Sequence, residues 1–145
     1  MGNTLKINKV NFEDIQTYIQ ANERKMGEQQ QIFLINTLPL NEQHCLIPFT
    51  LSASDEEHIV NKLLKNTKIK FIIYGKNAND NTIQIQYTKL YNLGFQSGQL
   101  YIYLGGIFEW LLLQDVYGKT EFPTTSTEHD ILKYKPKKTL FISTS

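Results

Sequence analysis

Few residues in this chain are of types that perform covalent chemistry, and they do not fall together. The single cysteine, Cys45, directly follows His44. Neighbouring side chains on an extended strand point to opposite faces, so the two do not make a nucleophile and its base. A buried, inert thiol is the reading they support. His58 and His129 lie far off in sequence, and no spacing of His, Cys and Asp is of the metal-ligand kind, so neither a metal nor a cofactor is expected. The stretch with the character of a site is instead Phe71-Ile72-Ile73-Tyr74-Gly75-Lys76-Asn77-Ala78-Asn79-Asp80-Asn81-Thr82. An apolar strand passes there into a short loop of Gly, Asn and Asp and then into a helix. Such a loop can curl its backbone N–H groups around an anion at the helix N-terminus, at the strand ends where open α/β sheets gather their chemistry. What Gly75-Lys76-Asn77-Ala78-Asn79-Asp80 lacks is a nucleophile.

The elements that must hold this loop alternate along the chain. Leu5 to Val10 makes a short strand, and Asn11 with Asp14 three residues later starts a helix whose apolar face is Phe12, Ile15, Tyr18 and Ile19, ending near Asn22. The polar run Glu23 to Gln30 is a connection, and Ile32 to Ile35 is a second buried strand. Pro39 and Pro48 keep the following segment out of a central ladder. Ser54 and Glu57 form a capping-box pattern for a helix running to about Asn66. Phe71 to Tyr74 is the central strand, and Ile83, Tyr87, Leu90 and Tyr91 share one face of a helix that Gly94 stops. Leu100 to Leu104 is the last strand, broken by Gly105-Gly106, after which Ile107 to Leu113 begins another helix. Strands alternating with helices predict an α/β fold of three layers, with a mainly parallel central sheet flanked by helices. Tyr101 and Tyr103 share the strand face that meets a helix, and Trp110 and Phe108 are expected to serve the core or support the loop rather than stack on a ligand.

At 145 residues, with 41% hydrophobic and 20% charged residues, the chain fits one ordinary soluble domain. A formal net charge of +1, with lysines spread along most of the chain, argues against a nucleic-acid or anionic-membrane surface. One cysteine excludes an internal disulfide and suits a reducing compartment, so a cytoplasmic location is expected. No apolar run is as long as a membrane span, and no signal-peptide core is visible. Met1-Gly2 resembles a myristoylation start, but Lys6 stands where the pattern wants Ser or Thr. From Gly118 the composition turns to Thr, Ser, Lys and Pro with an apolar end. That segment is either folded back on the domain or offered to a partner.

The order of these elements resembles the rhodanese-like (sulfurtransferase) domain over residues 5–117, leaving 118–145 as a C-terminal extension. The run Tyr103-Leu104-Gly105-Gly106-Ile107-Phe108-Glu109-Trp110 is similar to that family's last strand and its glycine-glycine-aliphatic-x-x-tryptophan element. Ile7-Asn8-x-x-Asn11-Phe12-x-x-Ile15 is similar to its first strand and helix. The resemblance implies a catalytic cysteine at the end of the central strand, whose anionic form a loop of backbone donors stabilises. Gly75 occupies that position, and Asp80 stands where the family often carries a basic residue, with Lys76 as a substitute cation. Ile35-Asn36-Thr37-Leu38 falls where the family has an aspartate-valine-arginine stretch and keeps neither charge.

A persulfide needs a low-pKa thiolate, and nothing in the loop supplies one. The expected function is therefore a catalytically inactive rhodanese-like domain, a protein-binding or structural subunit of a cytoskeletal or organellar assembly. The partner-binding candidates are Lys133, Lys135, Lys137, Lys138, Leu140, Phe141 and Ile142, suited to an acidic protein surface. The alternatives are an enzyme using Cys45 as nucleophile and a sensor of small anions.

Overall fold

Branched and aromatic side chains in the strands build the sheet, and their two-residue period divides the core into two halves. The computed structural model describes residues 7–24 and 30–141. Its elements run β1 (Asn8–Val10), α1 (Phe12–Glu23), β2 (Ile32–Asn36), α2 (Ala53–Lys62), β3 (Lys70–Tyr74), α3 (Thr82–Leu93), β4 (Leu100–Tyr103) and α4 (Gly106–Tyr117). The strands form one sheet in the order β1-β4-β3-β2, and every pairing is parallel. A single parallel bridge from Leu34 to Thr50 extends the β2 edge. Leu34, Ile72, Tyr74 and Tyr103 face α1 and α4, where they meet Ile15, Tyr18, Ile19, Ile107, Trp110 and Leu111. Phe33, Ile35, Phe71, Ile73, Leu100 and Ile102 face α2 and α3, against Val60, Ile83, Tyr87 and Leu90. Helices on both faces of a parallel sheet make the three-layer α/β fold that the alternation predicts.

Helix boundaries follow local chemistry. Asn11 caps α1 by accepting from the Glu13 and Asp14 N–H groups, while Asp14 returns the bond to the Asn11 N–H at 2.9 Å, so the expected box is present. At α2 the expected cap is displaced. Ser52, not Ser54, accepts the Asp55 N–H at 3.3 Å, because the extended backbone at Ser52 puts its hydroxyl below the first turn. This helix also ends at Lys62, four residues before Asn66. Leu63 and Leu64 turn onto the core, and Asn66 Oδ1 accepts the Lys68 N–H in a local turn that competes with helix. Gly94 stops α3 at φ +123°, a conformation that favours glycine.

The segment after α4 is part of the same core up to Tyr134, so the boundary expected after Tyr117 does not divide the packing. Phe122 and Tyr134 are buried in the layer between the sheet and α1 and α4. Trp110 Nε1 donates to the Pro123 carbonyl at 2.7 Å, and Gln114 Nε2 donates to the Phe122 carbonyl at 2.7 Å. Of the two outcomes open for this segment, folding back holds for residues 118–134.

Candidate functional site

The Gly75–Asp80 loop leaves the carboxyl end of β3 with its ends pinned by neighbours. The Thr37 N–H donates to the Tyr74 carbonyl at 2.9 Å. The first N–H groups of α4, from Ile107 and Phe108, donate to the Gly75 and Lys76 carbonyls at 3.0 and 2.9 Å. This contact explains the second glycine of the pair before α4. Gly106 sits at φ +68°, and a Cβ there would lie 2.5 Å from the Gly75 carbonyl oxygen. The otherwise unpaired N–H groups at the start of α4 are thus taken up by the loop's own carbonyls.

The anion inside the loop is the side chain of Asp80. Its Oδ2 accepts the Lys76 N–H at 2.8 Å, and its Oδ1 accepts the Thr82 N–H at 3.0 Å and the Thr82 hydroxyl at 2.6 Å. Thr82 Oγ1 in turn lies 2.8 Å from Thr37 Oγ1. A carboxylate just ahead of the first turn of α3 also complements the helix dipole. The backbone curls around an anion as the sequence leads one to expect, and the chain provides that anion itself.

The same carboxylate occupies the space next to Gly75 that a catalytic side chain would need. A Cβ on Gly75 would lie 2.5 Å from Asp80 Oδ2, 2.7 Å from Thr37 Oγ1 and 3.0 Å from Ile83 Cγ1. No side chain fits there without moving the carboxylate. Lys76 does not serve as a loop cation for a ligand, since its Nζ lies 3.4 Å from Glu42 Oε2. Asn77 is buried and structural: its Nδ2 donates to the Tyr134 carbonyl at 2.8 Å, and its Oδ1 accepts the Asn79 N–H at 2.8 Å. Ala78 and Asn79 are exposed at the tip. Asn36 and Thr37 brace the loop from β2, with Asn36 Oδ1 accepting the Leu38 N–H and a Gln43 amide proton.

Cys45 is elsewhere, sealed under the segment that follows α4. It is fully buried, its thiol donates to the Ser126 carbonyl at 3.3 Å, and burial pushes its pKa up. A desolvated thiol of this kind is poorly suited to attack. His44 points outward, with Nε2 2.7 Å from Glu128 Oε1. The Lys133 ammonium pairs with the same oxygen and lies over the Tyr134 ring at 5.0 Å. Glu128 is held down to about 2 by the Lys133 ammonium first, with the Asp130 N–H and His44 adding to it. Lys133 is therefore engaged within the chain, a correction to its grouping with the outward-facing lysines. Lys135, Lys137, Lys138, Leu140 and Phe141 are exposed, and Ile142 lies outside the described residues, as do Met1 to Lys6.

A cleft of about 1060 Å³ opens between α1 and the amino-terminal ends of β2 and β3, lined by Tyr18, Ile32, Lys70, Ile72 and Tyr101 among others, and includes no residue of the loop. Among the described residues no group of three or more His, Cys, Asp or Glu could hold a metal ion, and no helix is long and apolar enough to cross a membrane. Reading residues in sequence missed the three residues that close the site: Asp80 as internal ligand, Thr82 as its donor and Tyr134 as the loop's anchor. The Asp80-Asn81-Thr82 triplet carried a local signal for the first two, because Asp readily bonds the N–H two residues on. For Tyr134 no local signal exists.

No protein-family model matches the chain, and a search of curated proteins found no match. Among solved structures the chain is similar to the BH2092 protein of Bacillus halodurans, with a TM-score of 0.55, 17% sequence identity, and coverage of 77% of this chain and 74% of that one. At that identity the likeness is one of fold alone.

Proposed function

We propose that this chain is a non-catalytic module of rhodanese-like design that works by binding protein, as a structural subunit of a larger assembly. One observation carries the reading: the Asp80 carboxylate sits within 2.5 Å of where a Gly75 Cβ would be and takes the Lys76 N–H, the Thr82 N–H and the Thr82 hydroxyl. Sulfur transfer needs a thiolate at that point and donors free to hold a second anion. Glycine at the position supplies no sulfur, and the internal carboxylate would repel a thiosulfate or phosphate while holding the donors it needs. The buried Cys45 offers no substitute. With the loop closed on itself, the features left for function are surfaces, and the exposed strip from Lys135 to Phe141 joins charge to apolar side chains. A cytoplasmic site of action, cytoskeletal or organellar, belongs to this proposal.

A thiosulfate-to-cyanide sulfurtransferase assay tests it. The expected rate equals that of heat-denatured protein, and turnover clearly above that background overturns the reading. Calorimetry with thiosulfate, sulfate and phosphate is expected to give no heat of binding, because the loop already contains its anion.

A further inference from the structure

We infer that the strip from Lys135 to Phe141 docks on the α2 end of a second copy of this chain, so that copies associate head to tail. The inference rests on the reading of the chain as a structural, protein-binding subunit, and it names the partner of that strip. Tyr134 is the last residue anchored in the core, buried and fixed by the Asn77 bond to its carbonyl. Among the described residues beyond it only Pro136 is half-buried, while Lys135, Lys137 and Lys138 are exposed and Leu140 and Phe141 are 82% and 76% exposed. Seven residues leaving a fixed point reach as far as roughly 24 Å. An arm that carries three cations and then two adjacent large apolar side chains in water calls for a partner with an apolar recess beside negative charge.

The chain itself carries such a surface. A depression of about 550 Å³ is lined by Leu40, Gln43, Leu46, Ser52, Ala53 and Ser54, and Leu40 at its rim is 82% exposed. Asp55 follows Ser54 directly, and Glu57 lies one helical turn beyond Ala53; both are exposed. Glu56 between them is held by the Gln86 amide at 3.1 Å. In the arm Lys137 and Lys138 stand three residues ahead of Leu140 and Phe141 respectively, so cations neighbour apolar side chains there as carboxylates neighbour the recess here. In the proposed contact Leu140 and Phe141 occupy the recess and the lysines pair with the Asp55 and Glu57 carboxylates. Because the two surfaces differ, the contact is heterologous, and repetition yields rings or open chains instead of closed two-fold dimers.

Sedimentation equilibrium of the full chain over a wide concentration range, at low and high salt, tests this. The expected result is a weight-average mass that rises with concentration beyond twice the monomer mass and falls in high salt. The triple variant Lys135→Glu, Lys137→Glu, Lys138→Glu and the double variant Asp55→Lys, Glu57→Lys should each be monomeric alone, since each sets like charges against like. Mixed together they should associate again, because both junctions regain opposite charges, and a misfolded variant would not be rescued this way. Leu140→Ser with Phe141→Ser should weaken association at least tenfold. A monomer at every concentration, association that both reversed variants retain, or binding of the arm to polyglutamate with no self-association each overturns the inference. None of these touches the non-catalytic reading, which the sulfurtransferase assay decides separately.

Discussion

At the scale of single residues, Gly75 and Asp80 form one unit, because the side chain one lacks is the space the other fills. Replacing Gly75 with Cys forces a sulfur-bearing side chain into a filled site and should destabilise the protein by about 1–3 kcal/mol, the range for overpacking. Adding Asp80→Ala should recover part of that loss, so that the two changes together cost less than their sum, a coupling readable from urea unfolding of the four proteins. Additive costs would show that the two sites do not share space. Asp80→Asn keeps the shape but turns an NH₂ toward the Lys76 or Thr82 donor, and leaving a donor unpaired should cost roughly 1–3 kcal/mol in the same measurement. Sequence alone showed that the loop contains no nucleophile, since the residue types from Gly75 to Asp80 are enough for that. It left open where Asp80 pointed, because a carboxylate at a helix start serves equally as a solvated charge or as a cap, and only the fold sets which.

At the scale of elements, strands and helix faces were legible because burial on one side or two leaves a period in the residue types. The apolar run of β3 and the Tyr101–Tyr103 alternation in β4 both locate the correct faces. Helix ends were less legible wherever two residues competed for one role. Ser52 and Ser54 flank Ala53, the first residue of α2, and the structure uses the first as the cap. Ser52→Ala should therefore cost about 0.5–2 kcal/mol, while Ser54→Ala should change the urea midpoint little; the reverse order would place the cap at Ser54. The clasp between Glu128, Lys133 and His44 makes a second prediction, now in pH. The Glu128 carboxyl is lowered from an ordinary 4.5 to about 2, so its contribution to stability is fully present above about 4.5 and vanishes as the pH falls through about 2. The gap in urea midpoint between the parent protein and Glu128→Gln should be open at pH 7 and shut at pH 2; a gap that does not change with pH would mean the carboxylate is not held by its partners.

At the scale of the whole molecule, the fold is not complete when the sheet and its four helices are. Phe122 and Tyr134 lie in a stretch of Thr, Ser, Pro and Lys with no periodicity, so nothing in the sequence marks them as core, and the expected domain therefore ended at Tyr117. Both are almost wholly buried, 3% and 0% exposed, on the face shared with Trp110. Burying an aromatic side chain removes about 150–250 Å² from water, worth about 4–6 kcal/mol each at roughly 25 cal/mol per Å². The pair together approaches the whole net stability of an ordinary domain, about 5–15 kcal/mol. Cutting at Tyr117 would also expose Cys45 and Trp110 and free Asn77 from the Tyr134 carbonyl, loosening the loop from a second side. A chain ending at Tyr117 should therefore lack a cooperative thermal transition and be digested quickly by trypsin. One ending at Lys135 retains Phe122, Tyr134 and the Glu128–Lys133 pair, and should melt cooperatively close to the full chain. Cooperative melting of the shorter chain would return residues 118–134 to the status of an appendage and leave the loop without its anchor.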